Sequence, residues 1–177
     1  MNRLTIDGRP TLEHVDLEVL DSYRFPDGAG FPESYTAFIR HAGWARLFDL
    51  WLIYPPVLPG FADGLQGRGE NLTSHFHAVY REGQEEELDW MVEPDADWSL
   101  PASLRVFGWS ENGDALLWDT ASRTPDGEFT VWESPSLDAL RKLGGSLSEA
   151  LPLLRARTHE LFGSSGHDIE PLPAVRL

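Results

Sequence analysis

The chain has 177 residues, 41% of them hydrophobic, with seven Trp and nine Phe, which is enough for one domain with a full core. Its formal net charge is −15, from 29 acidic and 14 basic residues, which opposes nucleic-acid binding because phosphate contacts need Lys and Arg to displace counterions. It has no cysteine, hence no disulfide, thiolate metal site or Cys nucleophile; no run nears the ~18 apolar residues of a membrane span, and the first residues are too polar for a signal peptide.

Leu4 to Ile6 suggests a short strand before an Asp7-Gly8 turn. Thr11 is a candidate cap for a helix carrying Leu12, Val15 and Val19. Phe31, Tyr35, Phe38, Ile39 and Ala42 form one helical stripe. Pro32 suits its first turn, Glu33 its positive end and Gly43 its left-handed stop. Trp44 to Tyr54 is nearly continuous in apolar residues and predicts one strand buried on both faces. The Pro- and Gly-rich stretch 57–69 predicts a loop. Asn71 is the expected cap of a second helix, with Leu72, Phe76, Val79 and Tyr80 on its inner stripe and an end near Gly83. Leu88, Trp90 and Val92 alternate as in a strand.

Residues 104–110 and 114–120 flank Asn112-Gly113. That dipeptide tolerates the positive φ values of a two-residue hairpin loop. Apolar groups alternate on both faces of both segments, with Leu104 and Val106 opposed to Phe107 and Trp109. A hairpin of this kind belongs mid-sheet. Thr124 to Gly127 predicts a turn, and Phe129 to Glu133 a third consecutive strand. Ser146 and Glu149 have capping-box spacing ahead of a stripe at Leu147, Ala150, Leu151 and Leu154. Pro152 predicts either a kink or a later helix start.

Strands joined by short turns, with helices at both ends, predict an α+β fold. The expected architecture is a single largely antiparallel sheet with a central Asn-Gly hairpin and helices packed mainly on one face. Residues 1–162 are read as one domain and 163–177 as an irregular C-terminal tail.

The acid is concentrated. Glu82, Glu85, Glu86, Glu87, Asp89, Glu93, Asp95 and Asp97 fall in one run, with Trp90 and Trp98 within or beside it and no Lys or Arg between Arg81 and Arg105. Acid alone is ordinarily a solvated loop. Acid interleaved with Trp suits a partner surface, because aromatics anchor interfaces and charge steers approach. Candidate partner-binding residues are Glu85, Glu86, Glu87, Asp89, Trp90, Glu93, Asp95, Asp97 and Trp98, extended by Glu111 at the hairpin tip.

Three pieces of the chain resemble the SUKH superfamily, which includes yeast cell-wall assembly regulators and many bacterial immunity proteins. Phe31-Pro-Glu-Ser-Tyr-Thr-Ala-Phe-Ile-Arg-His-Ala-Gly43 looks like its first helix. Val106-Phe-Gly-Trp-Ser-Glu-Asn-Gly-Asp-Ala-Leu-Leu-Trp-Asp119 looks like its central hairpin. Gly145-Ser-Leu-Ser-Glu-Ala-Leu151 is similar to its closing helix start. The chain departs where the family often has adjacent glycines, at Ala42-Gly43-Trp44, and in having Leu147 and Leu151 at commoner Phe positions. The resemblance implies a non-catalytic domain that binds a cognate toxin, such as a nuclease. No cofactor is expected, the acidic charge favours a basic protein partner, and the lack of a membrane span or signal peptide predicts a cytoplasmic location. A regulatory or scaffolding module of the same fold, without a toxin partner, is the alternative.

Catalytic readings fit less well. His75 and His77 are two apart on a helix and point to different faces, so they do not share an ion. There is no H-E-x-x-H. Residues 65–69 lack the preceding strand and the Lys of a nucleotide loop. Ser164 to Asp168 holds all three triad residue types, but as neighbours in a tail rather than as groups converging from distant segments. Expected ligands therefore include no metal, no nucleic acid and no membrane.

Overall fold

A computed structural model describes residues 4–163 and 166–177. The elements run α1 (Leu17–Ser22), α2 (Glu33–Ala42), β1 (Ala45–Leu47), β2 (Trp51–Ile53), a π-helical turn (Leu65–Gly69), α3 (Glu70–Glu85), β3 (Leu104–Ser110), β4 (Ala115–Arg123), β5 (Phe129–Ser134), β6 (Arg141–Gly144), α4 (Leu147–Phe162) and β7 (Ile169–Pro171). One seven-stranded sheet has the order β6-β5-β4-β3-β2-β1-β7, and every neighbouring pair is antiparallel. This is the α+β class that the sequence pattern predicts.

Period-two alternation sends the strands' side chains to two cores. Leu116, Trp118, Phe129 and Val131 pack with α1, α2 and α4 on one face. Ala115, Leu117, Leu104 and Trp132 pack with Leu72, Phe76 and Tyr80 of α3 on the other. Three helices share one face and α3 covers the opposite one. β3 and β4 lie mid-sheet, as their two apolar faces require. Phe107 and Trp118, stacked at 4.4 Å, are therefore core residues rather than an uncovered binding face.

The α2 stripe is realised: Tyr35, Phe38, Ile39 and Ala42 are buried. The Tyr35 hydroxyl donates to the Tyr54 carbonyl at 2.7 Å, and burial pushes its pKa up. Gly43 ends the helix at φ 65°, and a Cβ there would lie 2.0 Å from the Thr11 carbonyl oxygen, so no other residue fits. Ser146 caps α4 by accepting from the Glu149 amide at 3.2 Å, while the Glu149 carboxylate accepts from Gly145 N–H at 2.7 Å. The helix starts at Leu147 and runs through Pro152.

Several expectations give way to local chemistry. The single strand over 44–54 is a hairpin, because Phe48 (φ 52°) and Asp49 (φ 59°) turn the chain and Leu50 N–H donates to the Leu47 carbonyl. Burial of the Phe48 ring, 1% exposed, holds this left-handed pair in place of the usual Asn-Gly. The β3–β4 connection is longer than two residues. Only Gly113 of the loop has positive φ, with Gly113 N–H on the Ser110 carbonyl and Ser110 N–H on the Asp114 carbonyl, a turn closed by a left-handed glycine. A bulge between Val106 and Gly108 places Trp109 on the Leu104 face, not beside Phe107.

Asp16, not Thr11, caps α1 by accepting from Val19 N–H. The predicted loop 57–69 ends in the π-helical turn, so α3 starts before Asn71. Leu88 to Val92 is not a strand: residues Asp89–Met91 form a 3-10 turn, because adjacent Met91 and Val92 are both buried. β6 has no periodic pattern in the sequence to mark it. β7 lies in the segment expected to be an irregular tail, where Asp168 is clamped to Thr5 by hydrogen bonds of 2.9 and 3.0 Å.

β2 pairs with β3 only over Gly108–Ser110, so the start of β3 has β4 on one side and no strand on the other. α3 supplies the missing partners. Thr73 Oγ1 accepts from Val106 N–H at 2.9 Å, and His77 Nε2 bonds the Leu104 carbonyl at 2.9 Å.

A candidate acidic interface

The acidic run is built on the C-terminal end of α3. Gly83 lets Met91 approach, since a Cβ there would lie 2.2 Å from its sulfur. The helix closes when Leu88 N–H donates to the Gly83 carbonyl and Glu87 N–H to that of Gln84, with Glu87 at φ 58°. This closure usually has glycine in the left-handed position. Glu82 and Glu85 lie in the last turn, where no basic residue offsets them. Helix dipoles favour cations there, so the carboxylates add to a negative end rather than neutralising a positive one.

Met91 and Val92 anchor the following segment in the core, and the charges on either side of them stay outside. Glu82, Glu85, Glu86, Glu87, Asp89, Glu93, Asp95 and Asp97 are all exposed. Trp90 is 57% exposed and offers the largest free aromatic surface of the run. Trp98 is different. Its indole N–H donates to Asp89 at 2.7 Å and its ring meets Tyr80 edge-on, so it is half-buried and props the loop. Hydrogen bonds from the Ser99 hydroxyl and amide hold the Asp97 carboxyl below the usual carboxylate range.

The fold adds a residue that the run did not contain. Asp95 and Asp97 share an open groove of about 520 Å³ with Asp119 on β4, floored by Trp132. Among the described residues no Lys or Arg lines it. Asp119 accepts from Ser103 Oγ at 2.7 Å, which fixes its carboxylate at the rim. In sequence Asp119 was only the polar residue after Trp118, and nothing pointed to a groove. Glu111 is not brought to this surface by its contacts. It pairs with Arg46 on β1 at 2.8 Å, and Arg46 also binds Glu170 on β7 at 3.0 Å.

Of the histidines, His75 is exposed and His77 is committed to Leu104. No group of three or more His, Cys, Asp or Glu among the described residues is arranged to hold a metal ion. The serine pair of the Ser164 to Asp168 stretch lies outside the described residues. Among the described residues no helix is long and apolar enough to cross a membrane.

No family model, curated protein or solved structure matches the chain. What defines it is an antiparallel α+β fold bearing an exposed acidic surface at one helix end.

Proposed function

We propose that this chain is a non-catalytic, cytoplasmic binding domain that captures a basic protein, in the manner of an immunity protein that neutralises a bacterial toxin such as a nuclease. The observation that carries the reading is the exposed run Glu82–Asp97 with Trp90 at its centre and no basic residue within it. A nuclease must present a cationic groove to phosphate. An acidic surface imitates that field, speeds encounter and covers the groove. Trp90 supplies the apolar anchor that charge alone lacks. The SUKH resemblance supports the same class of function.

The test uses tagged wild-type chain and a variant carrying Glu85, Glu86 and Glu87 to Gln with Trp90→Ala as baits in the native cell. Wild type is expected to retain one basic protein at low salt and to release it at high salt. The variant should fail to retain it. Co-expression of wild type, but not of the variant, should relieve that protein's toxicity. Equal retention by both baits would place the interface elsewhere. Recovery of only non-basic regulatory proteins would favour the scaffolding alternative.

A further inference from the structure

At the opposite end of α3 lies a second surface of different chemistry. A cleft of about 260 Å³ opens between the segment after α1, the π-helical turn, and the strands β3 and β4. Its walls are aromatic and aliphatic. Tyr23 stacks on Phe31 at 4.9 Å, Phe31 meets Trp118 at 6.2 Å, and Leu65 also lines the cleft. Tyr23 is 43% exposed, so the stack is open at its outer edge.

The rim is polar and carries both signs of charge. Arg105 and Glu70 both line the cleft, both are exposed, and neither has an ion-pair partner among the described residues. Gln66 accepts from Val57 N–H at 3.2 Å, which leaves its amide NH₂ free to donate. Three lining residues, Leu65, Gln66 and Gly69, belong to the π-helical turn, a rare backbone form found frequently at functional sites.

Size and charge together restrict the occupant. An apolar cavity of ~150 Å³ holds one benzene ring, and drug-sized ligands fill roughly 300 Å³ or more. This cleft falls between the two, which suits one or two fused rings with a short polar head. The head must complement a cation and an anion that line the same cleft and have no ion-pair partner among the described residues, so a zwitterion fits better than a simple acid or amine.

We propose that the cleft binds a free aromatic α-amino acid, with its ring against Tyr23 and Phe31, its carboxylate at Arg105 and its ammonium at Glu70. This site does not depend on the toxin-binding proposal, since it uses none of the acidic run.

Isothermal titration calorimetry of the full chain tests it with L-tryptophan, tryptamine and indole-3-acetate. L-tryptophan should bind, and each single-charge analogue about tenfold more weakly, as loss of one charge-assisted contact implies. Arg105→Gln should weaken L-tryptophan about tenfold and leave tryptamine unchanged. Glu70→Gln should weaken L-tryptophan similarly and leave indole-3-acetate unchanged. Val19→Trp, which fills the cleft from α1, should abolish binding with all three. The proposal is overturned by absence of binding heat with L-tryptophan, by equal affinity for the three compounds, or by indifference to both charge substitutions in variants whose circular dichroism matches wild type.

Discussion

Replacing Glu87 by Gly should make the protein more stable. Glu87 closes α3 at φ 58°, the position where most helices use glycine. A left-handed L-residue costs roughly 1–2 kcal/mol through contact between Cβ and the following carbonyl. Glycine lifts that cost but adds roughly 0.5–1 kcal/mol of unfolded-state entropy. The balance is a gain of about 0.5–1 kcal/mol. At ~2–4 °C per kcal/mol for a chain of this size, the melting temperature should rise by about 1–4 °C. Thermal unfolding followed by circular dichroism measures it. Glu87→Ala is the control, because it removes the charge and keeps the Cβ. If Ala stabilises as much as Gly, charge and not backbone strain is the cause. If Gly destabilises, the left-handed assignment of Glu87 is wrong.

Thr73→Val keeps the shape of the side chain but leaves the buried Val106 N–H without its acceptor, and should cost about 1–3 kcal/mol in urea unfolding; a loss below experimental error would show that Thr73 does not cap the β3 edge. The Glu133 carboxylate is buried on β5 and paired with Arg157 of α4; burial raises its pKa, although Arg157 pulls the other way. Because Arg157 is partly solvated, Arg157→Ala should cost about 1–3 kcal/mol, less than a fully buried pair, and adding Glu133→Gln should restore part of it. His14 is fully buried beside Phe61, neither ring nitrogen has a hydrogen-bond partner among the described residues, and burial lowers its pKa below 6.5 despite Glu13 and Asp63. The unfolded chain then binds the proton more readily, so stability is full above pH ~6.5 and falls as pH drops from there towards the lowered folded value. His14→Phe should flatten that part of the urea-midpoint profile, and an unchanged slope would assign it to other groups.

The long periodic elements were legible in sequence and the short ones were not. The α2 stripe, the Ser146 cap and the two-faced β3–β4 pair each announce themselves through several residues with one periodicity. The turn at Phe48 and Asp49 has no Gly, Asn-Gly or Pro to mark it. Only tertiary burial of Phe48 makes that conformation worthwhile. β6 and β7 are short edge strands, and β6 carries exposed Arg141 and Lys142, so pairing and not pattern defines them. The segment after α3 alternated like a strand, yet adjacent Met91 and Val92 both point inward. For the site, the charge density could be read directly. Which members act together could not: Trp98 is tied to Asp89, Glu111 to Arg46, and Asp119 joins Asp95 and Asp97 only because the loop folds back across β4.

The central claim is that the acidic run steers a basic partner onto this chain. Its most direct test is the association rate of the captured basic protein, measured by stopped flow across ionic strength for wild type and for the Glu85, Glu86 and Glu87 to Gln variant. The account predicts a wild-type rate that falls steeply with salt, and a variant that is slower at low salt with a flatter dependence. Identical rates and identical salt dependence for the two would contradict it.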